Sequence, residues 1–145
     1  MKLSTKGRYG VKAMLDLALH SDEGHVSLKS IAERQELSEN YLEQLFAALK
    51  KAGLVISLRG AQGGYSLAAE SSAITIGSIL RALEGSLAPV DCAHKDGGSC
   101  CRADECVTKV LWDKISASIN SVVDSMTLKD LVEEHDRIKK ANVLT

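Results

Sequence analysis

Among 145 residues there is one proline, one phenylalanine and one tryptophan, and aromatic residues make up only 3%. No apolar run approaches the roughly 20 residues of a membrane-spanning helix, so no membrane partner is expected. The opening residues, Met1-Lys2-Leu3-Ser4-Thr5-Lys6-Gly7-Arg8, lack the apolar core of a signal peptide, and a cytosolic location is expected. The net charge is −1, which removes any global basic signal. The imbalance is local: residues 1–67 carry nine Lys and Arg against seven acidic side chains, while residues 68–145 carry nine against twelve. That asymmetry is compatible with nucleic acid at the N-terminal half without establishing it. No nucleophile–base constellation and no phosphate-cradling motif is found, so an enzyme is not expected. Cysteine is absent except between residues 92 and 106, where all four lie. In a reducing compartment such clustering points to a metal or redox site rather than structural disulfides.

The most informative stretch is residues 27–67. Leu28, Ile31 and Ala32 have helical spacing. Leu37-Ser38 breaks the pattern, and Ser38 is a good N-cap for a second helix. That helix has Leu42, Leu45, Phe46 and Leu49 on one face, and Gly53 stands where a left-handed stop is wanted. Its opposite face carries Asn40, Glu43, Gln44, Ala47 and Lys51, with Tyr41 on the shoulder. Asn, Gln and Tyr near the N-terminal end suit base-edge contacts in a major groove. For a lone helix, a plain solvated face would be the better reading. The next segment changes that. Residues 54–58 are β-rich, Tyr65-Ser66-Leu67 can return beside them, and Arg59-Gly60-Ala61-Gln62-Gly63-Gly64 joins the two. Three glycines permit positive φ and a thin backbone, and Arg59 suits the negative potential of a narrow minor groove. Helix-turn-helix followed at once by a hairpin predicts a winged helix that binds double-stranded DNA.

Around it, residues 6–20 predict a first helix with a stripe of Val11, Met14, Leu15, Ala18 and Leu19. Lys6 and Arg8 at its start serve equally well as phosphate contacts or as solvated charges. Residues 74–83 predict a helix capped by Thr75, with Ile76, Ile79, Leu80 and Leu83 inward and Gly85 as its stop. Residues 104–125 carry the longest apolar stripe, namely Val107, Val110, Leu111, Ile115, Ile119, Val122, Val123 and Met126. Such a helix would run roughly 30 Å and needs a partner, for which a twofold dimer contact is preferred to the chain's own core. Thr127 predicts the cap of a last helix, with a frayed tail from Lys139.

Cys92, Cys100, Cys101 and Cys106 lie on a glycine-containing loop ahead of the long helix. Their spacing matches neither a zinc ribbon nor a ferredoxin run. On spacing alone, zinc, an iron–sulfur cluster and a thiol switch all stay open.

The chain resembles the iron–sulfur cluster regulators of the IscR type, which have the NsrR and CymR regulators as cousins. The resemblance covers nearly the whole chain. It is carried by Leu3-Ser4-Thr5-Lys6-Gly7-Arg8-Tyr9, by Leu37-Ser38-Glu39-Asn40-Tyr41-Leu42-Glu43-Gln44-Leu45-Phe46, and by Leu54-Val55 with Arg59-Gly60 and Gly63-Gly64-Tyr65. Cys92, Cys100 and Cys106, with Val107-Thr108 and Leu111-Trp112, carry it in the sensor loop. It implies a mainly α homodimeric winged helix-turn-helix with a small β-hairpin wing and a long dimerisation helix. It also implies an iron–sulfur cluster, [2Fe–2S] ahead of [4Fe–4S], that adjusts operator binding in response to iron–sulfur, redox or nitric oxide status. By position, Ser38, Tyr41, Glu43, Gln44, Arg59 and Gly64 become the DNA-reading residues, and Cys92, Cys100 and Cys106 the cluster ligands. The IscR type places a His three residues after its last ligand cysteine, where this chain has Lys109. The fourth ligand is then Cys101, His94, Asp91 or a group from elsewhere in the dimer, with Cys101 ahead of His94. The expected division is a DNA-binding unit over residues 1–85, a cysteine loop over 86–105, and dimerisation and C-terminal helices over 106–145. The competing readings are a zinc-stabilised regulator and an iron–sulfur carrier or scaffold.

Overall fold

The computed structural model describes residues 3–61, 63–90 and 106–143. Its first helix, α1 (Thr5–Leu19), is the post on which the rest is mounted. It touches the second, third, fourth and sixth helices, and the second wing strand as well. Its inward face is Gly7, Gly10, Ala13, Met14 and Leu17, while Val11, Leu15 and Ala18 are only half-buried. The expected stripe is therefore rotated. Close approach to a neighbouring helix selects small residues, and apolarity alone does not reveal that.

Helix α2 (Leu28–Gln35) begins at Ser27, whose hydroxyl accepts from the Ser30 N–H at 3.2 Å. It ends at Glu36, which holds a left-handed φ of 56° and turns the chain toward α3 (Glu39–Lys51). Ser38 caps α3 as expected, accepting from the Tyr41 N–H at 3.1 Å. At the far end Gly53 takes φ 79°, and the N–H groups of Gly53 and Leu54 donate to the carbonyls of Lys50 and Leu49. This paired closure satisfies carbonyls that would otherwise face nothing.

The wing is an antiparallel pair, β1 (Val55–Leu58) and β2 (Gly64–Leu67), with Val55 opposite Leu67 and Leu58 opposite Gly64. A third segment joins it. Val26 and Tyr65 exchange two backbone hydrogen bonds of 2.8 and 2.7 Å, so the loop before α2 braces the wing. A single valine in a loop offers no strand signal, and the bridge was invisible in the sequence.

Helix α4 (Ile76–Glu84) is capped by Thr75, accepting from the Ser78 N–H at 3.0 Å. Helix α5 (Lys109–Ser125) begins five residues later than expected, because Cys106–Thr108 form a turn ahead of it. At 17 residues it spans about 25 Å. Its stripe is divided. Ile119 and Val123 pack against the chain's own core, whereas Val110, Leu111 and Val122 are exposed by half or more. Helix α6 (Leu128–Val143) opens with reciprocal bonds between Thr127 and Asp130. It stays helical to Val143, against the frayed tail expected from Lys139: Lys139, Lys140 and Ala141 are good helix formers, and the lysines suit the negative end of the helix dipole. Leu128 is fully buried, and bonds from Ile76 to Met126 and from Leu128 to Ile74 tie the α5–α6 junction to the start of α4. The core is one cluster, with Met14, Leu17, Ile31, Leu42, Phe46, Leu49, Ile79 and Leu128 at its centre. Among the described residues no helix is long and apolar enough to cross a membrane.

Candidate nucleic-acid interface and thiolate site

The recognition face follows from how α3 is gripped from behind. Leu42, Leu45, Phe46 and Leu49 are buried, which forces Asn40, Glu43, Gln44, Ala47 and Lys51 outward, and all five are exposed. Ser38 is exposed at the N-terminal end with its oxygen engaged in the cap, leaving its O–H available as a donor. Tyr41 stands half-buried, its ring edge-on to Tyr9 at 6.2 Å, and its hydroxyl is buried with no hydrogen-bond partner among the described residues.

The last turn of α2, just ahead of the turn into α3, is held to α1 by a polar lock missed in the sequence. Asp16 of α1 is 3% exposed. It accepts from Arg34 Nε at 2.9 and 3.1 Å, from Arg34 Nη2 at 2.6 Å, and from Gln35 Nε2 at 2.9 Å. Both donors lie in the last turn of α2, immediately before the turn into α3. Burial opposes ionisation of Asp16, but the bonds from Arg34 and Gln35, with the charges of Arg34 and His20, outweigh it and hold the carboxyl below its ordinary value. A carboxylate at a position flanked by apolar residues on α1 was the available signal.

At the wing, Arg59 is exposed at the base of the tip, and Phe46 packs on Tyr65 at 4.8 Å to hold the hairpin against α3. The glycines, expected to permit positive φ and a thin backbone, divide that work between them. Of the three, only Gly60 has a positive φ, at 117°. Gly63 and Gly64 are needed for close approach: a Cβ on Gly63 would lie 2.2 Å from the Leu58 carbonyl oxygen, and one on Gly64 would lie 2.4 Å from that of Val26. Gly64 thus has an internal duty in the Val26 bridge. Ser38, Tyr41, Glu43 and Gln44 share α3, while Arg59 and Gly64 stand at the two ends of the wing tip.

Of the cysteines, Cys106 is described. Cys92, Cys100 and Cys101, with His94 and Asp91, lie outside the described residues. Cys106 sits half-buried in the turn that opens α5, its Sγ 3.2 Å from Thr108 Oγ1. The Thr108 hydroxyl, then the backbone N–H groups of Lys109 and Thr108 and the Lys109 charge, draw its thiol below the usual value. The shift raises the share of thiolate, which is the form that ligates metals. Lys109 Nζ is held 2.7 Å from Asp113 Oδ2 one turn along α5.

A helix-turn-helix whose second helix bears an outward polar face, followed by a braced two-stranded wing, defines a winged-helix DNA-binding protein. Residues 3–134 match the model of the family Rrf2, described as iron-dependent transcriptional regulator, and the chain belongs to that family. It is 46% identical over 142 residues to the HTH-type transcriptional regulator IscR of Yersinia enterocolitica, covering 98% of this chain and 85% of that protein. Among solved structures, T. potens IscR is 56% identical with a TM-score of 0.75, covering 93% of this chain and 88% of that one. CymR, the global cysteine regulator of B. subtilis, is 48% identical with a TM-score of 0.76, covering 92% and 98%. The chain is a DNA-binding transcriptional regulator of the IscR type, and the role that its relatives' names give is not enzymatic.

Proposed function

We propose that this regulator binds its operator as a homodimer and that an iron–sulfur cluster, [2Fe–2S] ahead of [4Fe–4S], adjusts that binding. The observation that carries the reading is the placement of Cys106. Cys106, its Sγ engaged by Thr108, lies in the turn just ahead of the helix whose outer stripe, Val110, Leu111 and Val122, is left exposed. Ligand and dimer contact then adjoin along the chain, with Cys106 three residues ahead of the first helical residue. Cys92, Cys100 and Cys106 would hold the cluster, with Cys101 as the first candidate for the fourth ligand. When bound, the cluster supplies one-electron redox chemistry and sensitivity to iron supply or nitric oxide. Lys109, engaged with Asp113, stays outside the ligand set.

On the DNA side, Glu43 and Gln44 read base edges from the exposed face of α3, with Ser38 and Tyr41 at its leading end. Arg59 enters a minor groove or meets phosphate from the wing, and Gly64 lets the wing backbone sit where it must. Glu43 is repelled by phosphates but accepts from cytosine N4, so it acts on discrimination. A ligand of the cysteine loop shifts the population of DNA-competent dimers by binding one arrangement better than the other.

The test is anaerobic purification with absorption spectroscopy and iron and sulfide analysis, alongside fluorescence anisotropy on promoter DNA. A sulfide-containing chromophore and a change in operator affinity on its removal are expected. Zinc without a chromophore would replace the cluster reading with structural zinc. A cluster-bearing protein with no preference for operator DNA would favour a carrier.

A further inference from the structure

Glu84 is the last residue of α4, and the chain beyond it leads into the cysteine loop. Its carboxylate reaches back 80 residues to the start of α1. The Ser4 N–H donates to Glu84 Oε1 at 2.7 Å, and the Ser4 hydroxyl donates to the same oxygen. Ser4 is the N-cap of α1 yet makes no side-chain cap of its own, because that hydroxyl is turned to Glu84. Gly7, one turn on, keeps the space clear: a Cβ there would lie 2.8 Å from Oε1 and 2.9 Å from Cδ. A carboxylate at a helix N-terminus is also favoured by the helix dipole.

We propose that Glu84 is a positioning residue that couples the cysteine loop to the recognition helix through α1. This rests on the cluster-modulated reading given above. The latch grips the first turn of α1. The last turns of α1 carry Asp16, which grips Arg34 and Gln35 just ahead of the turn into α3. The two grips are twelve residues apart, about 18 Å along a stiff helix. A shift of the chain after α4 pulls on Ser4, tilts α1, and moves the end of α2 and with it α3. A 230 Å³ cavity beside the latch, lined by Leu3, Leu80, Leu87, Ala88, Ile119 and Val123, borders α4, the chain after it, α5 and the residue ahead of Ser4, and gives that movement room.

The experiment measures operator affinity for cluster-loaded and cluster-free protein and takes the ratio. Allosteric couplings of this kind are about 5- to 150-fold. Glu84→Ala is expected to bring the ratio within about twofold of one, with cluster content and thermal midpoint close to wild type. Glu84→Gln keeps an acceptor oxygen for Ser4 and is expected to retain the wild-type ratio. Gly7→Ala improves helix propensity but evicts the carboxylate, and is expected to reproduce the Glu84→Ala result. It decides the matter should Glu84→Ala fold poorly. A wild-type ratio in any folded variant lacking the latch overturns the proposal and leaves the cluster reading intact. A ratio of one in the unmutated protein removes the cluster reading and the coupling together.

Discussion

Replacing Arg34 with alanine leaves the Asp16 carboxylate almost enclosed, with Gln35 the one side-chain donor to it among the described residues and His20 Nδ1 3.5 Å away. Removing one partner of a buried pair costs about 3–5 kcal/mol. Arg34 itself is 34% exposed, so water reaches the vacated space and part of the loss is recovered, leaving about 2–3 kcal/mol. For a chain of this size that lowers the melting temperature by about 4–12 °C. Asp16→Ala costs less, about 1–2 kcal/mol, because Arg34 and Gln35 lie near the surface and recover water once released. The pH dependence separates this account from simple loss of packing. In the wild type the folded carboxyl titrates below its ordinary value, so its contribution is present above the unfolded pKa and fades as pH falls through the folded one. In Arg34→Ala only Gln35 and His20 are left to oppose burial, the folded pKa rises from its wild-type position, and the variant loses less stability than the wild type as the pH drops and the carboxyl takes up a proton. The stability gap between the two proteins therefore widens from pH 4 to pH 7. Urea unfolding at fixed protein concentration across that range measures it. A gap under about 0.5 kcal/mol at pH 7, or one that does not change with pH, would refute the reasoning.

Arg59→Ala should weaken operator binding without altering the melting temperature, and the slope of log affinity against log salt should fall by about 0.9 if the lost contact is to phosphate. An unchanged affinity and slope would take the wing off the DNA. Leu111→Asp should dissociate the proposed dimer while leaving the fold intact, because the side chain is half exposed in the single chain, whereas Ile119→Asp should cost stability first because Ile119 packs on the core. Ultracentrifugation paired with thermal melts distinguishes them, and a dimer of unchanged strength in Leu111→Asp would assign the outer stripe elsewhere. Gly64→Ala should lower the melting temperature and disorder the wing, since its methyl meets the Val26 carbonyl; a wild-type melt would contradict the close approach. Cys106→Ala should abolish the proposed iron–sulfur chromophore and Lys109→Ala should keep it, and the reverse result would overturn the argument from ligand chemistry.

Much of the framework was legible residue by residue. Ser38, Thr75 and Thr127 were recognisable as caps because a hydroxyl and an N–H three residues on are local partners, and each appears where expected in type. The outward face of α3 was readable for the same reason: Leu42, Leu45, Phe46 and Leu49 claim the other side by spacing alone. The hairpin followed from a β-rich run and a glycine tip. The start of α5 was less legible, since Val107 continued the apolar period across a turn in which Thr108 engages Cys106.

The sequence by itself thus determined the order of elements, the helix starts and the polar face offered to DNA, all of which depend on neighbours within a few positions. Only the tertiary structure decided which side of α1 turns inward, that Gly63 and Gly64 serve close approach rather than unusual φ, and that Val26 braces the wing. It alone decided that Asp16 grips Arg34, that Glu84 grips Ser4, and that the α5 stripe divides between core and surface. These features depend on pairs up to 80 residues apart. Their partners are chosen by how the helices cross, which no periodicity along the chain encodes.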